Sequence, residues 1–368
     1  TGNKYQKKVQ KDSNGYSYES VSNDPANLRV YTLSNGLKVY LSPNSKEPRV
    51  MGLIGIRAGS TSEPESTTGL AHYFEHIMFK GTSSFGTTDW EKEKPLLDSI
   101  SNLFEIYRAE TDEAKRKSIY ENIDKLSVEA SKYAIPNEYD KMTSEIGARY
   151  TNAFTSYDRT AYINDVPSSE LQKWLELECN RFGDIALRLF HTELETVYEE
   201  FNMYQDRDDS RAYNALQSAL FPKNPLGRDV IGYPSHLKNP SMVNILKFKE
   251  TWYVPNNMVI CLSGDFDSEK VIQMIDKTFG KMEAKPLPTI EKIVEDPITK
   301  PIEKEVFGPD AENVLMAYRC DSNTPENRKM LYLMGRILYN GKAGIIDIDL
   351  MQEQKVLEAY AYSGFTND

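Results

Sequence analysis

At 368 residues the chain is too long for one ordinary hydrophobic core, so two domains are expected. Apolar residues at 39% and charged residues at 27% exclude a disordered or fibrous chain. The net charge of −11 argues against nucleic acid or an acidic membrane surface as the main partner. No apolar run reaches membrane-spanning length; residues 50–56 are strand-sized, and no transmembrane segment is expected. Cys179, Cys261 and Cys320 are scattered, give neither a disulfide framework nor a C-x-x-C knuckle, and read as small core residues.

Residues 1–26 are polar and read as a tether or poorly ordered arm. With neither Met nor a hydrophobic leader at the start, the chain reads as a trimmed or mature form, and an exported, periplasmic or envelope-associated bacterial protein is the expectation. Residues 28–41 predict a hairpin. Val30, Thr32 and Leu33 lead into Asn35-Gly36, and Leu37, Val39 and Leu41 then alternate. Residues 49–58 predict a central strand, nearly continuously apolar. A polar loop over 59–68 follows, in which Thr67 or Thr68 can cap the next helix.

That helix, over 69–80, carries the most informative spacing. The chain has four histidines, and His72 and His76 sit here with Glu75 between them. Residues i and i+4 share a helix face, so both imidazoles can reach one metal ion. Glu75 flanks the same face and can meet a water there. The bland alternative, two structural histidines on an amphipathic helix, leaves the interposed carboxylate without a role. The order H-x-x-E-H reverses the commoner H-E-x-x-H and is the inverzincin signature. Such a site needs a third ligand.

Residues 87–147 predict a long helical hairpin. Leu96, Leu97, Ile100, Leu103, Phe104 and Tyr107 keep helical spacing. Thr111-Asp112-Glu113 then opens a second helix carrying Ile119, Ile123, Leu126, Ala130 and Tyr133. Pro136 opens a third, short helix up to Gly147. An accessory arm without chemistry is the expectation. Residues 150–165 return to strand pattern. Ser168 or Ser169 predicts the cap of a helix with Leu171, Trp174, Leu175 and Leu177, and Thr192-Glu193-Leu194-Glu195 reads as a capping box for the next. Helix continues over 213–220, a strand over 258–264, and a helix over 268–279 that ends at Gly280.

Residues 283–300, rich in Pro and charge, predict a linker. Strand-like 314–318, a helix over 326–339 and another near 346–354 begin a second unit. Its roughly seventy residues fall short of a typical domain, so truncation or completion by a partner is expected.

The third ligand should be a carboxylate. The helix from Thr192 offers Glu193, Glu195, Glu199 and Glu200, of which Glu193 and Glu200 stand two turns apart on one face. Two carboxylates beside an apolar stripe are costly to bury without a cation. Spacing alone does not choose between Glu199 and Glu200. His191 reads as surface and His236 as a loop residue.

The motifs together resemble family M16 metallopeptidases, the group of pitrilysin, insulin-degrading enzyme and mitochondrial processing peptidase. They are His72-Tyr73-Phe74-Glu75-His76, Phe79-Lys80-Gly81-Thr82, Asn152-Ala153-Phe154-Thr155 and Glu193-x-x-x-Val197-x-x-Glu200. Asn224-Pro225-Leu226-Gly227, Val254-Pro255-Asn256-Asn257-Met258 and Ser263-Gly264-Asp265 follow in family order. The resemblance covers roughly residues 27–290 and weakens towards 368. It implies an α+β fold, a mostly antiparallel sheet packed against helices. The zinc-containing catalytic domain would span 27–282 with a helical insertion at about 90–146, and a second similar domain would begin at 301–368 after the 283–300 linker.

The same resemblance implies one zinc ion on His72, His76 and Glu200, supported by Glu193. Glu75 would be the base that activates water for peptide hydrolysis. Asn152, Ala153, Phe154 and Thr155 would form the edge strand to which an extended peptide substrate adds, with broad specificity. A C-terminal half or a second M16 chain would supply an Arg and a Tyr to the substrate site, so the chain alone should bind zinc and cleave poorly. The sequence departs from the family in one respect: 124 residues separate His76 from Glu200, and the helical insertion accounts for the excess. The competing expectation is a non-catalytic M16-like subunit or scaffold.

Overall fold

The apolar strand predicted over 49–58 lies inside an eight-stranded sheet. The structure, a computed structural model, describes residues 4–320 and 324–364. In chain order the strands are β1 (Lys7–Lys11), β2 (Ser17–Val21), β3 (Arg29–Thr32), β4 (Lys38–Pro43), β5 (Arg49–Ile56), β6 (Tyr150–Thr155), β7 (Thr160–Pro167) and β8 (Met258–Gly264). They are arranged β1-β2-β3-β4-β8-β5-β7-β6. Only β4 and β8 run parallel; the other neighbours are antiparallel, so the α+β expectation is met. β5 sits between β8 and β7, and its Val50, Ile54 and Ile56 are buried while Met51 on the opposite face is 44% exposed. That alternation is a sheet with one face in the core.

The helices are α1 (Leu70–Ile77), α2 (Trp90–Ala109), α3 (Glu113–Ser131), α4 (Glu138–Glu145), α5 (Leu171–Gly183), α6 (Phe190–Gln205), α7 (Asp208–Leu220), α8 (Pro234–Leu237), α9 (Met242–Trp252), α10 (Ser268–Lys277) and α11 (Pro325–Leu338). α1, α5 and α10 pack on the sheet, while α2 and α3 lie along one another as the expected hairpin. Asp89 and Asp112 cap α2 and α3, each carboxylate accepting a backbone N–H inside its helix. Asn35-Gly36 makes the β3–β4 turn, with Gly36 at φ +85°.

Several local expectations give way to packing. Residues 7–21, expected in a tether, form β1 and β2 instead. β1 is exposed on both faces, which is why its sequence is polar. β2 is held by Tyr18, whose ring lies 5.3 Å from buried Tyr31, while Tyr16 donates to Asp276. Neither Ser168 nor Ser169 caps α5; a 3-10 turn, Ser168–Glu170, leads into it. The capping box at Thr192 does not form, because α6 starts two residues earlier, at Phe190. Phe190 is buried against the rings of Tyr73 and Phe104, at 4.9 and 5.2 Å. α4 begins at Glu138 after Asn137, not at Pro136.

The described residues divide into two compact units. One runs to Ile290 and takes in Pro297–Glu312; the other comprises Glu291–Asp296 and the residues from Asn313 on. Residues 283–300 carry no helix or strand, and neither do residues 314–318, where a strand was expected. In the second unit Asp347 accepts backbone N–H groups from Asn340, Lys342 and Gly344 and opens a π-helical turn, Asp347–Gln352. Among the described residues no helix is long and apolar enough to cross a membrane.

A tight contact joins sheet to helix at Gly52 of β5. A Cβ there would stand 2.6 Å from Trp174 Cη2. The indole is fully buried and its Nε1–H donates to Asn164 Oδ1 at 3.0 Å. Gly52→Ala should therefore lower unfolding stability by about 1–3 kcal/mol in urea titrations; an unchanged midpoint would mean that the indole shifts freely.

Candidate metal centre

α1 presents His72 and His76 on one face, as the i, i+4 spacing predicts, with their Nε2 atoms 3.3 Å apart. Gly69, φ +82°, immediately precedes the helix, and neither Thr67 nor Thr68 caps it. Glu63 does so instead, accepting N–H groups from Gly69 at 2.9 Å and Ala71 at 2.7 Å. Thr68 is engaged elsewhere, its N–H donating to His236 Nδ1 at 3.2 Å. His236, expected in a loop, thus lies in short α8 and braces the approach to α1.

α6 packs against α1, and the Tyr73 hydroxyl donates to the Phe190 carbonyl at the contact. The packing brings Glu200 Oε2 to 3.6 Å from both His72 Nε2 and His76 Nε2. Glu195 and Glu199 are exposed. Between the carboxylates left open by spacing, Glu200 is the one that joins the histidines. The three donor atoms form a nearly equilateral triangle. A tetrahedral zinc ion with bonds of about 2.0–2.1 Å needs ligand atoms roughly 3.4 Å apart. The donor set therefore fits zinc in both chemistry and spacing. His72, His76 and Glu200 form the only such group among the described residues, and Glu75 is outside it.

The surrounding groups fix protonation. His76 Nδ1 lies 2.8 Å from Glu193 Oε1, so Nδ1–H donates and the Nε2 lone pair faces the triangle. Glu193 Oε2 in turn lies 2.5 Å from Lys80 Nζ. Burial, with the neighbouring His76, pushes His72 down to about 3, which keeps it neutral and able to ligate. Burial opposes charge on His76, but Glu193, Glu200 and Glu75 outweigh it and raise its proton affinity. Burial disfavours the Glu193 carboxylate as well; His76 and Lys80 reverse that and lower its pKa. Glu75 is raised by burial, against the opposing effects of the Thr155 hydroxyl and His76.

β6 ends the sheet and pairs only with β7 among the described residues, so its outer edge is open. Asn152 and Phe154 are exposed, Phe154 by 40%, while Ala153 packs against the core. Thr155 turns inward: its hydroxyl donates to Glu75 Oε2 at 2.7 Å. His191 stays apart from the triangle, 3.3 Å from the Tyr120 hydroxyl. Sequence reasoning missed Glu63 and Lys80. Lys80 had a signal, since it stands one turn past His76, though it entered only as part of the Phe79-Lys80-Gly81-Thr82 motif, with no role attached.

A family profile described as "Insulinase (Peptidase family M16)" matches residues 38–94 and 123–233, and one described as "Peptidase M16 inactive domain" matches 243–368. The chain belongs to peptidase family M16. The first match omits residues 95–122, most of α2 and the first half of α3, a narrower stretch than the expected insertion at about 90–146. The chain is 24% identical over 342 residues to zinc protease PqqE of Helicobacter pylori, covering 90% of this chain and 65% of that protein. It is 26% identical over 281 residues to insulin-degrading enzyme of Bos taurus, covering 73% of this chain and 22% of that protein. The chain thus spans less than two thirds of these relatives. A protease structure from Helicobacter pylori superposes with TM-score 0.55 at 24% identity, over 71% of this chain and 52% of that one. Periplasmic protease PqqL from Escherichia coli does so with TM-score 0.55 at 22% identity, over 73% and 25%. These likenesses show the fold.

Chelator-competition titration should separate the carboxylates. Glu200→Ala should lose zinc binding, Glu193→Ala should weaken it by about 10–100-fold, and Glu199→Ala should leave it unchanged. Equal loss in Glu199→Ala would contradict this ligand assignment.

Proposed function

We propose that this chain is the zinc-carrying part of an endopeptidase that hydrolyses peptides or unfolded polypeptides, with one zinc ion held by His72, His76 and Glu200. The observation that carries the reading is the donor triangle with a buried, separately anchored carboxylate, Glu75, beside it. When bound, zinc polarises a carbonyl and brings the pKa of a water towards about 7. Glu75 takes the proton of the attacking water and delivers it to the leaving amine. Its burial raises its proton affinity, which suits a group that must carry a proton between two steps. Thr155 holds one carboxylate oxygen, leaving the other for the reaction. Glu193 keeps His76 in the ligating tautomer.

Substrate adds as an extended strand along the open edge of β6, beside Asn152, Ala153, Phe154 and Thr155. Main-chain hydrogen bonds carry the affinity, so specificity is broad. Exposed Phe154 offers apolar surface to one substrate side chain. A C-terminal M16 half or a second M16 chain completes the substrate site. This is supported by the relatives' greater length. A location outside the cytoplasm is supported by the likeness to periplasmic protease PqqL of Escherichia coli.

Glu75→Gln tests the reading. With the second half supplied, the variant should bind zinc like wild type and cleave a fluorogenic peptide at least about 100-fold more slowly. Retained cleavage would remove Glu75 from proton transfer. A wild type that binds zinc yet never cleaves would favour the non-catalytic subunit.

A further inference from the structure

Arg188 stands just before α6 and is 1% exposed. Every guanidinium N–H has a partner. Nε donates to Glu93 Oε1 at 2.6 Å and Nη2 to Glu93 Oε2 at 2.7 Å, a bidentate pair. Nη1 donates to the carbonyls of Lys80 at 2.8 Å and Phe85 at 3.4 Å, and Nη2 to that of Thr82 at 3.1 Å. Glu93 is fully buried in the first turn of α2, at the root of the helical hairpin.

The loop 80–86 is therefore wrapped around the guanidinium. A Cβ on Gly86 would lie 2.6 Å from Nη1, and one on Gly81 2.9 Å, so the wrap depends on both glycines. The loop's first residue, Lys80, is the one whose ammonium holds Glu193, which holds His76. On the other side, Leu189 links Arg188 to α6 with φ +54°, a left-handed turn unusual for leucine. Such a conformation persists where the surroundings over-determine it. α6 then carries both Glu193 and Glu200.

We propose that Glu93 and Arg188 are positioning residues for the metal centre: their buried pair locks the loop after α1 to the start of α6, and thereby sets Lys80, Glu193 and Glu200 against the two histidines. The inference rests on the zinc reading above. It also gives the root of the hairpin, expected as an arm without chemistry, a part in the site. Removing one partner leaves the other as an uncompensated buried charge, which moves to find water. Arg188 would then release the loop carbonyls and Lys80 would lose its place.

The test uses the full 368-residue chain. Zinc affinity is measured by chelator competition, and the visible spectrum is recorded after loading cobalt as a probe of ligand geometry. Glu93→Gln should bind zinc roughly tenfold more weakly or worse, with altered cobalt bands. Gly52→Ala, which strains a different part of the core, should keep wild-type affinity and bands despite lower stability. Folded Glu93→Gln with wild-type affinity and spectrum would overturn the proposal. Should Glu93→Gln fail to fold, the double variant Glu93→Leu/Arg188→Met removes both charges together. Its weakened zinc binding would support the proposal, and wild-type binding would overturn it. A wild-type chain that binds no zinc would overturn the metal site itself, and the positioning role with it.

Discussion

Three carboxylates, Glu75, Glu193 and Glu200, converge on two imidazoles between α1 and α6, and that crowding is the constraint the site is built around. Anions gathered in a partly buried space repel one another and lose hydration, so each needs its own cationic or hydrogen-bonding partner. Lys80 and the His76 N–H serve Glu193, and the Thr155 hydroxyl serves Glu75. Glu200 faces the two Nε2 atoms, where a divalent cation would complete the charge balance. The division of partners is also a division of labour. In the proposed reading, the carboxylate held by Thr155 stays out of the donor triangle and is left for proton transfer, whereas the one facing both imidazoles is left for the metal.

Meeting that constraint requires two helices from distant parts of the chain to be placed to within a fraction of an ångström. Local sequence does little of this. The strong capping signals at Thr67, Thr68, Ser168 and Thr192 are overridden. Long-range contacts replace them: Glu63 caps α1 from a preceding loop, and buried Phe190 sets where α6 begins. A surface cap contributes about 1 kcal/mol, less than the burial of one aromatic side chain at roughly 1.5–3 kcal/mol. Packing therefore decides the boundaries.

The same contrast explains what was legible beforehand. The His helix, the Asn35-Gly36 hairpin and the α2–α3 pair declare themselves through spacing, turn chemistry and periodicity, all within a short window. The choice between Glu199 and Glu200 was legible only through resemblance, and it becomes geometric once α6 is seen against α1. β1 and β2 were hidden because β1 is exposed on both faces and β2 only half-buried on one, so neither needs much apolar sequence. Arg188 and Glu93 were hidden for a deeper reason. Each reads as a surface charge, and only the fold buries them together.

Anomalous diffraction at the zinc edge from crystals of the zinc-loaded chain tests the central claim most directly. The account predicts one peak within bonding distance, about 2.0–2.2 Å, of His72 Nε2, His76 Nε2 and a Glu200 oxygen, with Glu75 beyond it. A peak elsewhere, or one bonded to Glu75 in place of Glu200, would contradict it.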